Sequence, residues 1–339
     1  MSASLRLTRK QILAFRRRVG GLQERMPRNA ASLRHAAWAG LQDSMPRAAL
    51  LSLHARVEGV EPSTWEHPSL TQLWGPRYST YVVPKRDFAL FSLGRLPDNA
   101  KGRERAERMA ERMHAQLDGA RMTDRELGRA LGVGNALRYA ATTGTVAIRW
   151  EGARAPAVWS VPPPRIGAAA ACRELARRYL RVFGPATAER FARWAGISRR
   201  AASEAFASLE ASLLPVRSPL GDESLLADDE PELLAAETPD APARLLPSGD
   251  AYFLLQGEER ELLLPHADQR ERLWTSRVWP GALLVDGEIL GTWRRAGRTI
   301  RIDAWSRPPR TARDAVDAEA AALPLPGLDR AIDVVWEPP

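Results

Sequence analysis

Three adjacent polar residues, Gln42, Asp43 and Ser44, stand in "GLQDSMPRAALLSLHARV" (residues 40–57), directly ahead of an apolar pattern with helical spacing. Together they offer an amide, a carboxylate and a hydroxyl. A glutamine carbonyl can stabilise a nearby cation and hold a water, and an aspartate adds negative charge and basicity. A serine makes one hydrogen bond to a water but is a poor base at neutral pH. The same residues have a plainer use. Asp43 or Ser44, shortly before Pro46 and Arg47, is placed to cap a helix by accepting a free backbone N–H, and Gln42 alone reads as a solvated loop amide. Residue type leaves both uses open. His35 and His54 flank the triplet; a lone histidine is more often a satisfied polar group than an acid or base, and neither is given a role.

The triplet must be held by the elements around it. Thr8 predicts the cap of a helix running to about Arg18, and a second helix is expected near Ala30 to Ala39. Pro46 suits the first turn of a third, whose Ala49, Leu50, Leu53 and Val57 recur at three- and four-residue steps. Leu41 to Met45 is then the turn between two helices. After Pro68 a short helix is expected to reach Trp74, "YSTYVVP" reads as a strand, and "KRDFALFSLGRL" as helix again.

Residues 101–117 predict a largely solvated helix. The next sixty or so residues have the order of a winged helix: a helix capped by Thr123, a "GVG" turn, a second helix to Ala141, then strands Thr145 to Trp150 and Ala157 to Val161. The order recurs after "PPP" at 162–164, with helices Cys172 to Phe183, "PATAERFARWAG" and Arg199 to Leu209, then a hairpin with a Gly-Asp tip. The acidic 228–243 stretch reads as linker or exposed loop. Beyond it "AYFLLQ", "GALLVDGEILGTWRRAGRTIRIDAW" and "AIDVVWE" read as strands, with Asp286-Gly287 and Ala296-Gly297 as turns and one helix from Thr311 to Leu323. The fold class expected is α+β: three tandem winged helices, the first irregular and carrying the triplet (1–100, 101–164, 165–230), then a small antiparallel β-barrel-like domain (231–339).

Charge adds a functional constraint. The net charge is +8, yet residues 1–217 carry 36 Lys and Arg against 18 Asp and Glu, while residues 218–339 carry 13 against 23. Only three of the basic residues are lysines, a sign of Arg-rich codon usage. Such usage explains Arg over Lys but not the asymmetry, which is the footprint of a phosphate-binding region. Candidate contacts are Arg47 beside the triplet, Arg77 after Trp74, Arg149 and Arg154 in or beside a wing, and Arg199 and Arg200 at a helix start. For each the plain alternative is a solvated arginine, and for Trp74 it is core packing. One cysteine, Cys172, excludes an intrachain disulfide, and five scattered histidines give no metal spacing. No apolar run approaches a membrane span, so a cytoplasmic, cofactor-free monomer is expected, nucleoid-associated when bound to DNA.

The stretches "GLQDSMPRAALLSLHARV", "ELARRYLRVFGPATAERFARWAGIS" and "LLVDGEILGTWRR" are similar to segments of the winged-helix DNA glycosylases related to AlkZ and YcaQ. The resemblance spans nearly the whole chain. It implies tandem winged helices forming a basic concave surface for duplex DNA, a β-barrel-like domain, and excision of bulky alkylated purines, including those in interstrand crosslinks. It also implies a catalytic pair at Gln42 and Ser44, with Asp43 between them. The family has an amide or carboxylate where this chain has Ser44, and usually an apolar residue where it has Asp43. Activity through Gln42 and Ser44 is therefore expected to be weak unless Asp43 turns inward. The alternatives are a winged-helix protein that recognises or sequesters damaged DNA without chemistry, and a transcription regulator, for which no dimer seam or ligand domain is visible.

Overall fold

The first helix, Arg9–Val19, begins where Thr8 accepts from the Gln11 amide while the Gln11 side chain reaches back to Thr8, a reciprocal cap. The structure is a computed structural model that describes residues 5–45, 47–152, 154–236, 242–325 and 331–337. Its strands form three sheets. In the first, the order is Leu41–Gln42, Thr80–Pro84, Leu70–Trp74, Val146–Arg149, Ala157–Ser160, Met122–Thr123. A pairing of Gln72 with Ile148 joins strands from either side of residue 100, so the first two expected units share one sheet. In the second, Leu5–Arg6 runs parallel to Leu213–Ser218, which pairs with Gly221–Leu226. The chain's first strand thus completes the sheet of the third unit.

The third sheet is ordered Arg244–Leu246, Gly281–Val285, Glu288–Ala296, Thr299–Ala304, Asp333–Trp336. Its last pairing is parallel, and among the described residues no pairing joins its first strand to its last. It is an open mixed sheet covered by the helix Arg310–Ala321, not the antiparallel barrel expected.

Other differences follow from tertiary context. Leu70–Trp74 is a strand, not a helix, because it has hydrogen-bonded neighbours on both sides. "AYFLLQ" is not a strand: Ala251–Phe253 is a 3-10 turn capped by Asp250, buried with Leu254 and Leu255. A short run buried on all sides looks alike in either state. The second helix of the second unit, Asn135–Thr143, is 3-10. The hairpin tips fall at Pro219-Leu220 and Gly297-Arg298, one or two residues from the expected positions, whereas Asp286-Gly287 turns as expected with both φ positive. The start of the acidic stretch is helical over Glu230–Leu234, with Leu233 in the core and Asp229 paired to Arg181 at 2.6 Å. Pro46 lies outside the described residues.

One core joins the first, third and last segments, while the second packs around its own cluster of Met109, Met113, Leu127 and Ile148. Leu73, Tyr81 and Phe91 of the first segment, Tyr179, Phe191 and Trp194 of the third, and Phe253, Trp274 and Leu284 of the last belong to one buried cluster. Among the described residues no helix is long and apolar enough to cross a membrane.

Candidate active site

Leu41–Gln42 is an edge strand, not a loop. Leu41 lies opposite Val82 and Gln42 opposite Tyr81, and the Asp43 amide donates to the Thr80 carbonyl at 2.8 Å. Extended backbone alternates its side chains. Leu41 and Asp43 therefore point into the fold, each 1% exposed, while Gln42 is half-buried and Ser44 exposed. This alternation separates the triplet. Gln42 Nε2 donates to Ser44 Oγ at 2.9 Å, and the Gln42 carbonyl oxygen has no hydrogen-bond partner among the described residues although it is buried. An acceptor oriented by its own amide and left unpaired is suited to a water or to positive charge.

Behind Gln42 stands the C-terminal region. Gly249 has φ +77°, and a Cβ built on it would lie 3.4 Å from Gln42 Cδ. The Gly249 turn is fixed by Asp250, whose carboxylate accepts from Arg56 at 2.7 Å through both oxygens and from Ser52 Oγ at 2.6 Å. Burial alone would push the Asp250 carboxyl up, but Arg56 and these hydrogen bonds outweigh it and hold it below the usual range. Ser52 lies on the helix Ala48–His54 and Arg56 just beyond it, so this buried pair ties the segment after the triplet to the turn behind Gln42.

Asp43 serves the fold. Its Oδ1 accepts from the Ala49 amide at 3.0 Å, satisfying a free N–H in the first turn of that helix, which is the capping use left open by the sequence. Its Oδ2 accepts from Gln72 Nε2 at 2.9 Å, and Arg47 is 4.0 Å away. Burial raises its carboxyl to about 6, against the lowering effects of Ala49, Arg47 and Gln72. Gln72 in turn accepts from the Trp150 amide at 2.6 Å, so Asp43, Gln72 and Trp150 form a chain from the triplet to the neighbouring wing. Arg47, left-handed at φ 65°, closes the same link: it donates to the Trp150 carbonyl at 3.3 Å and lies 4.0 Å over the Trp65 ring.

Trp150 also lines a cleft of about 780 Å³. Its charged walls are Arg125, Arg129, Arg138 and Arg154 against Asp124. Arg125 and Arg138 act on the Asp124 carboxylate and Arg129 on that of Glu126. Of the residues singled out from sequence, the structure thus brings Gln42, Ser44, Asp43 and Arg47 together and sets Arg154 in the adjoining cleft. Arg149 is nearby but engaged by Glu66 at 2.9 Å and Glu151 at 3.4 Å. Arg77 is half-buried beside Gly196 and the Tyr81 side chain. Arg199 and Arg200 are exposed and engaged, by Glu189 at 2.8 Å and Asp98 at 2.9 Å. Trp74 is core. His35 lies 3.1 Å from the Val19 carbonyl and His54 3.8 Å from Glu319, satisfied polar groups both. Gln72, Gly249 and the arginines 125, 129 and 138 escaped sequence reasoning. A glutamine inside an apolar strand was the one local signal for Gln72.

Helix-and-hairpin units, a polar pair on a sheet edge and a cleft walled by arginines are features of a nucleic-acid-directed class of protein. The chain belongs to the AlkZ-like DNA glycosylase family, whose description, DNA glycosylase AlkZ-like, matches residues 35–324. An interstrand DNA cross-link repair glycosylase of Streptomyces sahachiroi is 28% identical over 149 residues, 43% of this chain; the match spans 40% of that relative's length. The solved structure of Streptomyces sahachiroi DNA glycosylase AlkZ has the same fold, with a TM-score of 0.80 at 19% identity, covering 98% of this chain and 100% of that one.

Proposed function

We propose that this protein binds duplex DNA along its arginine-walled cleft and hydrolyses the N-glycosidic bond of bulky N7-alkylated purines, including those in interstrand crosslinks. The observation that carries the reading is the unpaired Gln42 carbonyl oxygen, held by the Gln42–Ser44 hydrogen bond on a sheet edge that Asp43 and Gln72 tie to Trp150 of that cleft. The three winged-helix units and the C-terminal domain act as one monomer, without a cofactor, in the cytoplasm.

N7-alkylation makes the purine cationic and a good leaving group. When the C1′–N9 bond breaks, its electron pair returns to the base and neutralises it, leaving an oxocarbenium-like sugar. The Gln42 carbonyl stabilises that cation and, with Ser44, orients a water whose oxygen bonds to C1′. The water's proton passes to solvent. No general acid is needed because the leaving base requires no protonation, and no strong base because water adds to an already cationic C1′. Asp43 is a positioning residue here: its carboxylate turns into the fold, away from the pair, and sets the strand end that carries Gln42 and Ser44.

A reading without chemistry, in which the protein sequesters damaged DNA, is favoured by one feature: the only carboxylate of the triplet is turned away from the pair. A single assay separates the two. Duplex DNA bearing a bulky N7-alkylguanine is incubated with the protein and base release is followed. Release that falls at least about a hundredfold in Gln42→Ala, with duplex affinity retained, supports the enzyme. No release by the wild type on several bulky adducts overturns it.

A further inference from the structure

Met45, next to Ser44, is 41% exposed, and Val278, more than two hundred residues away in sequence, is 51% exposed. Among the described residues only four large apolar side chains stand out in this way, and these two line the same groove, of about 440 Å³. Its floor is Leu51 on the helix that follows the triplet, and Pro247 in the turn behind Gln42. Trp279 and Trp293 give it aromatic walls. The Trp293 ring is fixed because its Nε1 donates to the Leu246 carbonyl at 2.8 Å and its Nε1 and Cε2 atoms fill the space a side chain on Gly281 would need.

We infer that this groove is a subsite for the aromatic or apolar body of a bulky DNA adduct, the part that hangs from the alkylated base. The inference rests on the proposed function and adds its specificity determinant. Three observations support it. The volume is that of a pocket for a drug-sized ligand, far more than a methyl group needs. The groove is lined by Met45 and by Pro247-Ser248, the chain neighbours of Ser44 and of Gly249, and Gly249 packs against Gln42, so its occupant lies near the proposed reacting pair. No Asp or Glu lines it, while Arg294 and Arg295 stand exposed at its rim, and among the described residues no carboxylate pairs with either. That charge suits a ligand presented on a phosphate backbone. Met45 is also a flexible and polarizable wall, able to adapt to flat rings.

The test compares two duplexes in the Gln42→Ala background, so that turnover does not consume them. One carries 7-methylguanine and the other a guanine with an anthracenylmethyl group on N7. Fluorescence anisotropy gives both affinities at one salt concentration. The anthracenylmethyl duplex is expected to bind at least about tenfold tighter, and Val278→Asp and Met45→Glu each to bring the ratio close to one. Both side chains are exposed, so neither change unpacks the core. Equal affinity for the two duplexes, or a preference that survives both substitutions, overturns the inference. So does sedimentation showing that Val278→Asp dissociates a dimer without changing the ratio, which would make a second copy the occupant. Base release by the otherwise unsubstituted protein is scored separately. Preference without release sinks the glycosylase reading alone; release without preference sinks the subsite alone.

Discussion

Asp43 offers a measurable consequence of the way the triplet divides. Its carboxyl is raised from 3.8 to about 6 by burial. A folded-state value above the unfolded one means that the native protein holds the proton more tightly. The resulting stability is fully present below about pH 4 and is lost as pH rises through about 6. A shift of about two units corresponds to about 3 kcal/mol. Asp43→Asn removes this titration. It also places an amide donor against Gln72 Nε2, a mismatch costing about 1–3 kcal/mol at every pH. The offset does not vary with pH, so the wild-type-minus-variant difference isolates the ionisation from all other titrating groups. With an unfolding entropy of about 2 cal/mol/K per residue, 3 kcal/mol over a chain of this length is about 4 °C. Thermal melts at pH 4, 5, 6 and 7 should therefore show the wild type's advantage over Asp43→Asn shrinking by about 4 °C from pH 4 to pH 7. A flat difference would refute the burial argument. A growing one would mean that Arg47, at 4.0 Å, governs Asp43 as an ordinary ion pair.

Other substitutions probe what holds the pair in place. Asp250→Ala leaves Arg56 buried without its partner and should cost about 3–5 kcal/mol in thermal or urea unfolding, most of it recovered when Arg56 is replaced by leucine as well. Gly249→Ala meets Gln42 only at ordinary contact distance, so its cost should be that of a left-handed alanine, about 1–2 kcal/mol, with duplex affinity unchanged in anisotropy titrations. Arg154→Ala should weaken duplex binding irrespective of sequence and lower the slope of log affinity against log salt by about 1, whereas Arg199→Ala, whose arginine is already engaged with Glu189, should leave the slope unchanged.

How legible each element is in the sequence depends on the range of the interactions that set it. Thr8, Thr123 and Asp286-Gly287 act within a few residues, and the cap or turn each announces is present. Leu70–Trp74 and Ala251–Leu255 depart from the states their local patterns suggest because neighbours remote in the chain set them. The site shows the same division. Gln42 and Ser44 are two apart, and in extended backbone that spacing is enough to put them on one face. Whether the backbone there is extended depends on the pairing with Tyr81, and the polar triplet alone fits a cap, a loop or a catalytic pair equally well. Asp43 is assigned to the interior only by Gln72 and Ala49 around it, and Gln42 acquires its backing from a glycine 207 residues downstream. The pair is therefore positioned by three regions at once: the sheet edge through Thr80, the second unit's wing through Gln72 and Trp150, and the C-terminal turn through Asp250 and Arg56. A displacement of any one of them reaches Gln42 through a short path: the backbone of Asp43 from Thr80, the Gln72 and Asp43 side chains from Trp150, and Gly249 from the C-terminal turn. Substitutions at Gln72 or Asp250, neither of which belongs to the proposed reacting pair, should alter base release more than substitutions of Arg199 or Arg200, whose charges look the more functional in the bare sequence.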